Sequence, residues 1–157
     1  MVSIHVNAAG NVSKWLNATG CSVFACSGQT ESDKLAECLC ESAIKNFPGR
    51  RIRTDMSDGD MDWEEGFYIL RKSWCPAVLT ENFFMDNHSD LEYLQSHAGK
   101  QAIIDTHVEG IVEYFLYMPN CCLLTSQWKQ NGELIPGRVF RSWDSETDGT
   151  NETVILS

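Results

Sequence analysis

The sequence has no apolar run approaching the roughly 18 residues that a membrane span needs. A transmembrane helix is therefore excluded. It also lacks a basic stripe: 12 Lys and Arg stand against 22 Asp and Glu, for a net charge of −10. A duplex-binding protein draws much of its affinity from phosphate neutralisation, so nucleic acid is not the expected partner. Anionic lipid is disfavoured for the same reason. The opening residues Met1-Val2-Ser3-Ile4-His5 have neither the basic flank nor the apolar stretch of a secretion signal. As written, the chain is expected in the cytoplasm, and any action outside the cell would follow release or export.

Paired C-x-x-C groups are also missing. The seven cysteines are Cys21, Cys26, Cys38, Cys40, Cys75, Cys121 and Cys122. None has the spacing of a structural zinc site. Cys38 and Cys40 would face about 200° apart on a helix, so the set reads as small buried hydrophobes in a reducing compartment. There are no internal repeats. The length, 157 residues, suits one domain with a real core.

What is present alternates between strand and helix. Ile4, Val6 and Ala8 alternate as in a strand. Residues 7–20 read as a loop anchored by Trp15 and Leu16, and residues 20–27 as a second short strand. Thr30 to Phe47 is a helix: Thr30 and Asp33 fit a capping box. Leu35, Leu39, Ala43 and Phe47 form its apolar face, with Ala36, Cys40 and Ile44 beside them. Pro48-Gly49 stops it. Ala77 to Phe84 has strand character. Asn87 or Ser89 caps a short helix with Leu91 and Leu94, and Lys100 to Leu116 forms a long one. There Ile104, Val108, Ile111, Val112 and Phe115 share a face. Beyond Pro119, residues 121–125 and 137–141 read as strands joined through Gln130-Asn131-Gly132, a hairpin signal. The expected class is α/β: a mostly parallel twisted sheet flanked by helices in three layers. Residues 1–118 are one unit, and 119–157 an extension with a hairpin and an acidic, flexible tail.

Two residues stand out chemically. His5 sits near the end of a strand, where a side chain projects into a cleft; it is either a structural histidine or a ligand. Glu81 lies within an apolar strand, where a carboxylate is costly unless paired or used. It is either salt-bridged, with Arg71 the nearest candidate, or chemically active. The acidic stretch from Asp55 to Glu65 fails as a calcium loop. With Gly59 at the sixth position, Thr54 and Met56 fall at the first and third ligand places. It reads as a solvated loop lining the cleft.

Ser3-Ile4-His5-Val6-Asn7-Ala8-Ala9 resembles the S-I-H-A-N-A strand of the zinc-dependent N-acetylmuramoyl-L-alanine amidases. Other stretches follow in the family's order. They are Val23-Phe24 with Ser32 and Leu35-Ala36, then Ile69-Leu70-Arg71, then Pro76-Ala77-Val78-Leu79-Thr80-Glu81 with Asn82 to Asn87. Asp90 and Leu94 continue the pattern, and Ala102, Ile103, Gly110, Ile111 and Tyr114 match its closing helix. The resemblance spans roughly residues 3 to 117. It implies a peptidoglycan hydrolase that cleaves the amide between N-acetylmuramic acid and L-alanine with zinc-activated water, degrading cell wall in lysis or remodelling. By resemblance, His5 is a zinc ligand and Glu81 the catalytic acid/base. Thr80 and Asn82 flank Glu81 and are placed to orient it, and both site side chains are expected in one cleft.

The sequence departs from the family pattern in one respect. The family's Gly-His-Gly ligand strand and the following helix with its Glu ligand precede the segment that begins at Ser3, and there is no room for them. His88, His97 and His107 match no family ligand and read as surface or packing residues. The alternative expectation is therefore a truncated, catalytically inactive remnant that binds peptidoglycan or a partner. An uncovered sheet edge recruits other chains, so self-association is also expected.

Overall fold

The computed structural model describes residues 1–11, 14–117, 129–130 and 133–134. The chain divides into two compact units, Met1–Tyr117 and Met118–Ser157. The first contains, in order, β1 (Val2–Asn7), β2 (Cys21–Ala25), α1 (Glu31–Asn46), β3 (Trp63–Glu64), α2 (Tyr68–Arg71), β4 (Val78–Phe84), α3 (His88–Gln95) and α4 (His97–Tyr117). In the second, β5 (Lys129–Gln130) pairs antiparallel with β6 (Glu133–Leu134). The turn expected through Asn131-Gly132 and the strands expected at 121–125 and 137–141, together with Cys121 and Cys122, lie outside the described residues.

The sheet order is β1-β4-β2-β3. β1 runs parallel to β4 and β2 parallel to β3, while β2 is antiparallel to β4. The sheet is thus mixed, with two of its three pairings parallel, and helices flank it as the α/β pattern implied.

Residues paired in register point to the same face. Ile4, Thr80 and Val23 share one face; His5, Glu81 and Ser22 share the other. α1 and α4 cover the first face. The helix α1 begins with the expected capping box: the Thr30 side chain accepts from the Ser32 N–H, and Asp33 reaches back to the Thr30 N–H. It presses Ala43 and Phe47 against Cys21 and Phe83. Phe47 and Phe83 meet edge to face with centroids 5.0 Å apart, and Tyr93 adds a second edge at 5.3 Å from Phe83. Each of the two buried phenylalanine rings contributes about 1.5–3 kcal/mol by leaving water. α2 lies on the second face, where Leu70 packs with Ala77 and Leu79.

α4 corrects the sequence reading. Ile104, Val108, Val112 and Phe115 do share a face, but they are 41–55% exposed. The buried arc is the neighbouring one, carrying Thr106, His107, Gly110 and Tyr114. Two features let this less apolar arc pack. Gly110 permits close approach to α1: a Cβ there would lie 2.8 Å from Leu39 Cδ2 and 3.0 Å from its Cα. His107 is fully bonded, with Nε2 2.9 Å from Thr80 Oγ1 and Nδ1 2.7 Å from the Ile103 carbonyl. Burial holds the pKa of His107 below its ordinary value, so it packs as a neutral ring. Ile44, placed beside the apolar face of α1 by its spacing, is likewise 54% exposed.

Candidate functional site

His5 and Glu81 are direct register partners on the parallel strands β1 and β4. Their side chains therefore leave the sheet side by side on one face. A parallel pair directs both carboxyl ends the same way, which is where open α/β sheets form ligand crevices. Residues 76 positions apart are neighbours because β1 and β4 pair edge to edge.

Glu81 is half-buried, and its Oε2 atom is buried without a hydrogen-bond partner. Arg71, the salt-bridge partner considered from sequence, instead donates its Nε–H to the Gly66 carbonyl at 2.8 Å. Desolvation pushes the Glu81 pKa above its ordinary value; the nearby His5 pulls in the opposite direction more weakly. His5 is exposed, and its Nε2 lies 2.8 Å from Ser3 Oγ. Ser3 was not singled out by its sequence position. The signal was the period of two, which puts residues 3 and 5 on one side of the strand.

The flanking residues divide their work. Thr80 points to the opposite face and bonds His107. Asn82 is buried and donates from Nδ2 to the His5 carbonyl at 3.0 Å and to Thr80 Oγ1 at 3.1 Å. It thereby ties the backbone of β1 to β4 beside the two site residues.

The loops beside the site are fixed by two aspartates. Asp86 accepts from the Ala9 N–H at 3.1 Å and the Gly10 N–H at 2.9 Å, holding the chain as it leaves β1. Asp90 is buried and accepts from Thr19 Oγ1 at 2.7 Å, the Phe84 N–H at 3.1 Å and the Gly20 N–H at 3.2 Å. Arg50 stands 3.7 Å from the Asp90 carboxylate. The ladder between β1 and β4 shifts register between His5 and Asn7, and Phe83 adopts φ of 65°. A bulky side chain in the left-handed region costs on the order of 1 kcal/mol and is held there by its surroundings. The kink falls two residues after Glu81.

Of the other histidines, His88 stacks on Trp15 with ring centroids 3.6 Å apart, and His97 opens α4 on the surface. Neither joins His5. The acidic loop departs from its expectation. Asp62 is buried, with Oδ1 unpartnered, and Asp60 Oδ1 is also buried and unpartnered. These residues pack near the start of α1, where Asp60, Asp33 and Glu37 line a cavity of about 550 Å³ that includes neither His5 nor Glu81. Cys21, Cys38 and Cys40 are buried free thiols, Cys26 is half-buried and Cys75 is exposed. No described helix is long and apolar enough to cross a membrane.

The donor chemistry at His5 and Glu81 suits a borderline metal such as zinc, and the orphaned Glu81 oxygen is free to face one. A catalytic zinc takes three protein ligands and a water. One imidazole and one carboxylate do not fill that set, and no group of three metal-binding side chains occurs among the described residues. The described residues alone do not complete the ligand set of the ion.

The family model described as N-acetylmuramoyl-L-alanine amidase matches residues 1–113. An N-acetylmuramoyl-L-alanine amidase CwlM of Bacillus licheniformis is 41% identical over 58 residues, covering 37% of this chain and 23% of that protein. An endolysin of Bacillus phage SPP1 is 28% identical over 112 residues, covering 71% of this chain and 38% of the relative. Among solved structures, an N-acetylmuramoyl-L-alanine amidase from Clostridium difficile 630 superposes with a TM-score of 0.64 at 25% identity. That match covers 74% of this chain and 57% of the other. The amidase AmiC2 of Nostoc punctiforme gives 0.60 at 25% identity, over 73% and 57%. The chain thus spans less than two-fifths of these curated relatives and somewhat over half of these solved domains. With most of its length matched by one family model, the chain belongs to the N-acetylmuramoyl-L-alanine amidase family.

Proposed function

We propose that this chain acts in peptidoglycan hydrolysis, at the amide between N-acetylmuramic acid and L-alanine. The observation that carries the reading is the register pairing of His5 with Glu81, with one Glu81 oxygen buried and unpartnered. Glu81 is the acid/base. A carboxylate with a raised pKa is a better proton acceptor than an exposed one, and its protonated form persists closer to neutral pH. It takes a proton from the water that attacks the lactyl carbonyl. It then returns that proton to the nitrogen of the departing L-alanine, so the C–N bond breaks as a neutral amine leaves. His5 would supply one imidazole to a zinc ion whose other ligands the described residues do not provide; such an ion would lend Lewis-acid chemistry beside Glu81. Ser3 and Asn82 position His5, one at its ring and one at its backbone. The substrate is the wall polymer or soluble muropeptides, so the chain acts where peptidoglycan is accessible to it.

The test is release of stem-peptide amines from purified peptidoglycan by the chain in zinc-containing buffer. Glu81→Gln removes the proton acceptor while keeping shape, and should cost about 10²- to 10⁴-fold in rate. Equal turnover by the parent and the variant would sink the reading.

The two-donor set at the site favours a second reading, a module that binds peptidoglycan without cutting it. In that case the parent chain sediments with the polymer, releases no amine, and Glu81→Gln changes neither result.

A further inference from the structure

Single exposed apolar side chains are ordinary on a protein surface. Trp15 differs in being held. It is 54% exposed, yet its ring stacks on His88 with centroids 3.6 Å apart and planes 22° from parallel. The backbone beside it is fixed as well. The Leu16 N–H donates to the Asp86 carbonyl at 2.8 Å, and the Leu16 carbonyl accepts from Asn87 Nδ2 at 3.2 Å. Asn87 caps α3, which His88 opens, so the second ring stands on the first turn of a helix. His88 covers one face of the indole, and much of the rest of the ring is open to water.

Its place in the fold is specific too. Trp15 lies in the segment that leaves the carboxyl end of β1, and His88 follows the carboxyl end of β4. That is the end of the sheet where open α/β folds form ligand crevices. The Asn7 carbonyl accepts from the Met85 N–H at 2.8 Å, and Asp86 gathers the Ala9 and Gly10 N–H groups, so the two segments are joined just beyond the strands. Asp86, which anchors the segment of Trp15, is five residues past Glu81, a span of at most about 18 Å. Trp74 is fully exposed as well, but it precedes β4 and so sits at the other end of that strand.

We propose that the open side of the Trp15 indole, backed by His88, is a sugar-stacking subsite, and that it holds the glycan strand of peptidoglycan at the end of the sheet that carries His5 and Glu81. The C–H groups on one side of a pyranose ring are weakly positive and lie flat against the negative π face of an aromatic. An indole that is already locked loses little rotamer freedom in holding such a ring. Asn17 and Ser89, close to Trp15 and His88 in sequence, are exposed and offer an amide and a hydroxyl to sugar hydroxyl and acetamido groups. A protein partner fits less well. It needs about 800 Å² on its own side, and one indole with Leu16 and Met85 nearby falls far short of that. A nucleic-acid base would stack equally, but the net charge of −10 opposes its phosphates. The identity of the glycan rests on the amidase reading; the stacking of a sugar ring does not.

The experiment is a magnetic-resonance titration of the full chain, isotope-labelled at its tryptophans. The probe is chitotetraose, the tetramer of N-acetylglucosamine, taken to about 10 mM, where a millimolar site saturates. The Trp15 indole N–H signal, identified by its loss in Trp15→Phe, should shift and saturate while that of Trp74 stays in place. In the variants, binding is read from the resonances of the sugar. Trp15→Ala should weaken it at least about tenfold, while Trp15→Phe, which keeps a smaller π face, and His88→Ala, which removes the support, should each weaken it about threefold. All three should keep the circular dichroism of the parent. A Trp15 signal that does not move, a Trp74 signal that moves as far, or a Trp15→Ala variant that binds like the parent would each overturn the proposal. So would a Trp15 signal that broadens with protein concentration alone, the mark of a protein contact. Amine release from peptidoglycan by a chain whose Trp15 ignores the sugar would sink this subsite and leave the amidase reading; sugar binding at Trp15 without amine release would do the reverse.

Discussion

Asp62 is a carboxylate with almost no contact with water, one unpartnered oxygen and two acidic neighbours, Asp60 and Asp33. Burial first, and Asp60 next, push its pKa from 3.8 to about 7. The folded protein then keeps a proton that the unfolded chain has already released. Stability falls as pH rises from about 4 to about 7 and stays lowered above that. Asp62→Asn keeps the shape without the titration. It should raise stability at pH 8 by roughly 1–3 kcal/mol and flatten the loss between pH 4 and 7. Urea midpoints across that range would check it; an unchanged slope would count against the buried-proton account. Nothing in the run Asp55 to Glu65 marked Asp62 as the buried member, because composition reports the average of a loop and not which side chain turns inward. His5 and Glu81 were legible for the opposite reason. Each interrupts an apolar alternation, and motif order singled them out. That they share one face was expected from the resemblance; that they are direct neighbours follows from register, which depends on the pairing of strands far apart in sequence.

At the scale of elements, α1 was readable to its cap because its signals are local: Thr30, Asp33 and the four-residue apolar spacing all act within one or two turns. α4 was readable in extent but not in orientation. Its apolar arc is wider than the part that packs, and the choice of buried arc was made by Gly110 and by the bond between His107 and Thr80. Neither carries a hydrophobic signal. Gly110 therefore offers a direct test. Gly110→Val must push Leu39 and the α1 backbone aside, and should destabilise the fold by about 1–3 kcal/mol, or several degrees in melting temperature. Ile104→Val, on the exposed arc, should move it by less than about 0.5 kcal/mol. Equal effects at the two positions would mean the helix face is assigned wrongly.

The whole unit follows the α/β pattern of strand and helix that its sequence displays, with one antiparallel pairing, β2 against β4, that the pattern did not disclose. Parallel pairs imply crossovers and hairpins imply tight turns, but residues 26–77 contain both a long helix and an irregular stretch, so either direction was open. The match to solved amidases at TM-scores of 0.64 and 0.60 resolves the architecture over about three-quarters of the chain.

The pairing of β1 with β4 has a consequence in time as well as in space. The two strands are separated by the rest of the sheet and by α1, so their union closes a loop of about 70 residues, an entropic cost paid before any contact in it is rewarded. α1 and its packing on β2 need no such closure. Substitutions in β1, such as Val2→Ala, should therefore speed unfolding and leave the refolding rate nearly unchanged, while Ala43→Gly in α1 should slow refolding. Stopped-flow chevrons of the two variants would separate them, and a slowed refolding limb for Val2→Ala would place β1 in the nucleus instead. On this ordering the imidazole of His5 meets the carboxylate of Glu81 only in the last step of folding, and a chain that has already acquired most of its secondary structure still lacks the side-by-side pair of the candidate site.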